Sequence, residues 1–174
     1  MKKFFTTLIA SSFAFVSMAA FAQAEAPNDA QIAAIVVAAN KVDINAGKFA
    51  ESHSKNKDVK AFAKEMVTDH TGSNKQATAL VKKLNVKPEE NATSKSLTDN
   101  GAETLKKLKG MKGAEFDKAY IDNEVTYHQT VLDAIDKTLI PNAKNAELKD
   151  LLTKTRPVIN DHLMHAQKIQ ASMK

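Results

Sequence analysis

Residues 58–84 read DVKAFAKEMVTDHTGSNKQATALVKKL, and their periodicity decides the fold. Val59, Phe62, Ala63, Met66, Ala77, Leu80, Val81 and Leu84 recur three or four apart, the spacing of one apolar stripe on an amphipathic helix. His70 falls four after Met66 and seven before Ala77, which sets an imidazole on that stripe at mid-helix. A core imidazole needs a hydrogen-bonding or ionic partner, because its polarity is costly to leave unmet. Those partners must come from other helices.

The same spacing predicts a first helix over 29–54, with Ile32, Ile35, Val36, Ala39, Asp43, Ala46, Phe49 and Ala50 inward. Lys55-Asn56-Lys57 reads as a tight turn and Asp58 as the N-cap of the second helix, 58–84. Residues 85–99 are polar, contain Pro88 and read as a long connection, after which a short helix is expected over 101–109. A third long helix over 114–139 turns Phe116, Ile121, Val125, His128, Leu132, Ile135 and Leu139 to one side, and Pro141-Asn142 is expected to end it. The fourth, 145–172, carries Leu148, Leu151, Leu152, Thr155, Ile159, His162, Ala166 and Ile169 inward, with Pro157 expected to kink or break it. No strand-like alternation of useful length occurs. Two short turns and one long crossover between the second and third long helices predict an all-α, ferritin-like four-helix bundle with a short extra helix.

The start of the chain has a different character. Lys2 and Lys3 precede an apolar stretch from Phe4 to Ala20, and Ala20-Phe21-Ala22 has the small-x-small shape of a signal-peptidase site, with Ala22-Gln23-Ala24 as the alternative. The expected organisation is a signal peptide over 1–22, a linker over 23–28 and the bundle over 29–174. That organisation predicts a soluble, exported, periplasmic protein with no transmembrane segment once the signal is gone. The chain has 25 Lys and Arg against 20 Asp and Glu, and loss of Lys2 and Lys3 leaves 23 against 20. So small and dispersed an excess, without aromatic-interleaved basic runs, argues against nucleic acid as a partner. With no cysteine, disulfides and thiolate metal sites are excluded.

Each long helix carries a polar residue on its inward face near mid-length: Asp43, His70, His128 and His162. Asp43 and His70 stand nearly equidistant from the turn at Asn56, so a rise of about 1.5 Å per residue brings them to one height in an antiparallel pair. Asp122 and His162 are equidistant from Asn142, with His128 closer to that turn, and Tyr120 offers a hydroxyl nearby. The candidate metal ligands are therefore Asp43, His70, Asp122, His128 and His162, a donor set suited to a divalent transition metal. The competing reading is a buried His–Asp network that holds the register of the helices. Residue types alone leave both open. Outside this set, His165 is expected at the solvent edge and His53 as a solvated cation at a helix C-terminus. Asp69, Asp161 and Glu124 are expected to face water.

Three segments, FAKEMVTDHTGSNKQ (62–76), FDKAYIDNEVTYH (116–128) and RPVINDHLMHAQ (156–167), resemble the bacterial domain of unknown function 4142. The likeness runs from Ile32 to Ile169 and is most specific at Met66 to His70, Tyr120 to Asp122, His128 and Pro157 to His162. It implies an exported, ferritin-like helical protein, of a kind often labelled outer-membrane, and brings no established activity. Asp43 stands where the family more often has glutamate. Di-iron ferritin-like proteins use Glu-x-x-His pairs, which this chain lacks, so the resemblance does not extend to a ferroxidase centre.

The leading reading is a non-enzymatic binding or stress-related protein of the envelope with a metal-competent core cluster. A metal-dependent oxidoreductase at that cluster and a purely structural or interaction module are the alternatives; no catalytic residue and no protein partner is assigned. Intact-mass measurement on the exported protein should show a form beginning after Ala22 or Ala24. A mature form that still begins at Met1 would refute the export reading.

Overall fold

The computed structural model describes residues 26–173, so the expected signal peptide lies outside the described residues. Among these the protein is all helix, with no strand. Helix α1 (Asp29–His53), α2 (Lys57–Lys83), α3 (Ala92–Lys109), α4 (Gly113–Ala134) and α5 (Ala146–Ser172) follow in order. Helix α4 is prolonged by a π-helical turn, Ile135–Leu139, and a last helical turn, Ile140–Asn142. No helix among the described residues is long and apolar enough to cross a membrane.

Asparagine caps set the starts of four helices by offering a side-chain carbonyl to orphan N–H groups. Asn28 and Asn91 form capping boxes with Gln31 and Ser94. Asn56 accepts from the N–H groups of Asp58 and Val59, and Asn145 does the same for Glu147 and Leu148. The expected cap at Asp58 is thus displaced to Asn56. The Asn91 box likewise starts α3 at Ala92, nine residues before the expected 101, and shortens the connection from α2.

The third long helix does not stop at 139. Pro141 has no N–H, and its ring would crowd the carbonyl four residues back in a regular α-helix. The turn before it widens instead, with the N–H of Ile140 reaching the carbonyl of Ile135, and the helix runs on to Asn142. Pro157 does not break α5, which is helical from Ala146 to Ser172. The residue is exposed, so water can satisfy the carbonyl that its missing N–H leaves free.

Contacts at the two ends define how the helices run. The Asp29 carboxylate accepts from the N–H groups of Lys144 and Asn145 at 2.9 and 3.0 Å, which ties the start of α1 to the turn between α4 and α5. At the other end Ser54 donates to Asp117 at 2.6 Å, and His53 bonds the carbonyl of Met111 at 3.1 Å. His53 also stacks on Phe49 and meets the edge of Phe116, so it is packed rather than the solvated cation expected. Helices α1 and α5 therefore run one way and α2 and α4 the other. Helix α2 packs on α1 and α5, α4 packs on α5, and α3 lies along α1.

Two apolar clusters fill the interior. Val59, Phe62, Met66, Phe116, Ile121 and Ala166 belong to the one beside the α1–α2 turn; Ile32, Ile35, Leu132, Ile135, Leu152 and Ile159 belong to the one at the opposite end. On α1 and α4 the polar residue falls between the segments that build these clusters, and on α5 His162 lies near their junction, between Ile159 and Ala166.

Close approach of α1 to α2 depends on Gly47, where an added Cβ would meet the Ala63 carbonyl and a Val67 methyl, each at 3.0 Å. An added Cβ at Gly72 meets nothing within 4 Å. Gly72→Ala should therefore stabilise by about 0.5–1 kcal/mol through helix propensity. Gly47→Ala should destabilise despite the same gain, because backbone cannot rotate away. Denaturant melts that move both variants in the same direction would show that the helices do not meet at Gly47.

Candidate metal centre

Asp43 from α1, His70 from α2, and His128 with Glu124 from α4 meet His162 from α5 in the polar layer, and all five are buried. The three imidazole rings form a near-regular triangle, with centroids 5.7 Å (His70–His128), 5.3 Å (His70–His162) and 5.4 Å (His128–His162) apart. One ligand atom from each lies within 4.8 Å of the other two, and the same holds for Asp43, Glu124 and His128.

The outer contacts of each ring fix where its proton sits. Asn40 donates its amide N–H to the Val36 carbonyl at 3.0 Å, so its oxygen accepts from His70 Nδ1 at 2.9 Å. His128 Nδ1 donates to the Glu124 backbone carbonyl at 2.9 Å. His162 Nε2 donates to Asp69 Oδ2 at 3.0 Å. A neutral imidazole that donates from one nitrogen carries a lone pair on the other, so all three rings turn lone pairs inward. Outer hydrogen bonds of this kind orient and polarise metal-binding histidines.

What the lone pairs face is another acceptor. His70 Nε2 is 3.0 Å and His128 Nε2 is 3.4 Å from the same oxygen, Asp43 Oδ2. Both Asp43 oxygens, His70 Nε2, His128 Nε2, His162 Nδ1, Glu124 Oε2 and Tyr120 Oη are buried without a hydrogen bond. Each unmet buried polar atom costs roughly 1–3 kcal/mol, so the group together rivals the 5–15 kcal/mol of net stability typical of a domain. A proton or a cation shared among them would meet that cost.

Burial also shapes their titration. Desolvation, aided by His162 and opposed by Asp69, brings His70 down to about 3. Desolvation brings His128 down to about 4 against the pull of Asp43. Burial raises Asp43, with His128 and His162 pulling it back, and raises Glu124 well above the usual carboxylate range, with the Asp43 charge adding to the effect. His70 and His128 are thus neutral at physiological pH, the form that a metal requires.

Four of the five residues expected at the site are brought together: Asp43, His70, His128 and His162. Asp122 is not. Its carboxylate is held by Lys118, four residues earlier, and accepts from Gln170 at 2.7 Å, with the side chain 37% exposed. Six residues from His128, it lies about 240° around α4. Glu124 belongs instead, contrary to its expected place in water; Tyr120, Glu124 and His128 form an i, i+4 ladder that could have revealed it. Asp69 is exposed as expected, yet its carboxylate also accepts from His162 on α5, because α2 is flanked by two helices. Asp161 is exposed as expected, and His165, with its side chain 40% exposed, pairs with Glu65 at 2.8 Å.

In the metal-free protein, His70 takes up its proton far below the value of about 6.5 it has when unfolded. Between those values the unfolded chain binds more protons, so this histidine contributes stability at neutral pH that is lost on acidification. Unfolding free energy measured from pH 6.5 to 4 should therefore fall less steeply in His70→Gln than in the wild type, by up to about 1.4 kcal/mol per pH unit. Equal slopes would mean that His70 is not held neutral by burial.

No curated protein and no solved structure matches this chain. A family model described as "Domain of unknown function (DUF4142)" matches residues 15–169. By that match, which spans most of its length and includes all five cluster residues, the chain belongs to the DUF4142 family.

Proposed function

We propose that this is an exported, ferritin-like four-helix bundle that binds a divalent transition-metal ion in its core, as a non-enzymatic binding protein of the cell envelope. The observation that carries the reading is the set of buried, unpartnered nitrogens on His70, His128 and His162, two of which, on His70 and His128, abut the Asp43 carboxylate. Three imidazole nitrogens and a carboxylate oxygen are a donor set that suits zinc and, with a further ligand, copper, nickel or iron. Glu124 supplies a second carboxylate, so a dication leaves the buried pair electrically neutral, as a dry core demands. When bound, the ion neutralises these charges and cross-links four helices. Asn40, the Glu124 carbonyl and Asp69 hold the rings in the tautomers that receive it.

The bundle reading rests on the directions of the four long helices, with α3 spanning the crossover between α2 and α4. The organisation of 1–22 as signal, 23–28 as linker and 29–174 as bundle rests on the N-terminal pattern. A periplasmic location rests on the same N-terminal pattern.

One observation favours a second reading, a protonated structural network. Asp43, with its raised pKa, is 3.0 Å from His70 Nε2 and could donate a proton to it.

Thermal melts with and without a tight chelator separate the two. A bound ion stabilises the native state by about 2.7 kcal/mol when its free concentration is one hundred times Kd. Chelation should therefore lower the wild-type melting temperature and have no effect on His70→Ala. Elemental analysis of untagged protein from its own compartment should find about one equivalent of metal per chain. If metal-exchanged wild type melts identically with and without chelator, the cluster is structural. Turnover of peroxide or oxygen that requires the metal would move the assignment to an oxidoreductase.

A further inference from the structure

Beside the metal centre lies a cavity of about 200 Å³. It opens toward solvent at α3, and concave, mostly apolar spaces with a few polar groups are where small molecules bind. Its deep wall is built from Ile35, Ile135, Leu139, Leu152 and Ile159, all buried. The rings of His70 and His128 line it toward the polar layer. Tyr127 forms another side, fixed by the hydrogen bond its hydroxyl donates to the Ala39 carbonyl at 2.9 Å. Helix α3 contributes Leu97 and, where the space meets solvent, the exposed Ser96 and Asn100.

Two features show that the cavity is built into the fold. The widened turn after α4 contributes Ile135 and Leu139 to the lining, and π-helical turns recur at functional sites. That turn is clamped from outside by Arg156, whose guanidinium forks onto Asp136 with two bonds of 2.7 Å. Apolar walls do not hold water well; a cavity of about 150 Å³ lined by Leu, Ile and Phe stays dry and takes up benzene.

We propose that this cavity is a binding site for a small apolar molecule of one or two fused rings, seated against the faces of His70 and His128. A bicyclic aromatic such as indole matches its volume, with apolar wall for the ring carbons and the polar rim of α3 for an N–H or hydroxyl. The site does not depend on the ion, because the cavity is formed by the helices themselves. It adds to the metal-binding reading a second ligand at the same polar layer.

The test uses the full chain, stripped of metal, with indole as the probe. Indole should raise the melting temperature with the logarithm of its concentration above Kd, and give saturable heat in calorimetry. It should also shift the methyl resonances of Ile35, Leu97, Ile135 and Leu152 and the ring protons of His70 and His128. Filling the space by Ala134→Phe should abolish these effects. Leu97→Trp fills it from the α3 side and supplies the only tryptophan in the chain, so it remains usable if the first variant does not fold. Absence of saturable binding, equal binding in a folded cavity-filled variant, or shifts scattered over the surface would overturn the proposal. Metal content, measured separately by chelation, leaves this result unaffected, so failure of one reading is distinguishable from failure of the other.

Discussion

Everything in this protein is arranged around the carboxylate of Asp43. It is buried on α1, and two imidazole lone pairs approach the same oxygen from α2 and α4. Acceptors meeting an acceptor repel, so this geometry persists only with positive charge between them. Burial sharpens the demand, because the low dielectric that depresses the histidines also raises the carboxyls. Protons on Asp43 and Glu124 are one solution. A dication is the other, and it satisfies all three histidines at once.

The polar layer is tolerated because it is thin and enclosed. Apolar clusters close it off toward both ends of the helices. Water therefore competes weakly for the donors, and each polar group must find its partner within the layer. The hairpins set its height. Asn56 and Asn145 start α2 and α5 at fixed points, and Asp29, His53 and Ser54 pin the two ends of the helix set together. Sliding one helix by a turn would pull its ligand about 5.4 Å out of the layer, so the metal-competent geometry and the register of the helices specify each other.

The groups that hold the outer nitrogens of the three rings are of three kinds: a side-chain amide, a backbone carbonyl and a carboxylate at the surface. The last is the most exposed, since Asp69 has 42% of its side chain in solvent. Together with Glu65 it forms the rim over His162. On the far side of the layer the apolar cavity reaches His70 and His128. The cluster is thus bounded by charge on one side and by hydrocarbon on another.

Periodicity alone was enough to turn Asp43, His70, His128 and His162 inward and to level Asp43 with His70, because helix phase and distance from a turn are local quantities; the same count levelled His162 with Asp122 rather than His128. The all-helical class and the family resemblance were legible for the same reason. What the sequence could not decide was how wide a sector each helix buries. A helix with two neighbours buries more than its apolar stripe, and that drew Asp69 and Asn40 into service and put Glu124 inside. Asp122, at nearly the right height, pointed elsewhere and was taken by Lys118 and Gln170. Nor could residue spacing say which ring nitrogen keeps its lone pair. That depends on what the other nitrogen meets: for His70 and His162 a partner on another helix, for His128 a carbonyl of its own helix that only the side-chain rotamer selects. The cavity is likewise a product of packing, since its walls come from segments far apart in the chain and no local pattern encodes the space between them.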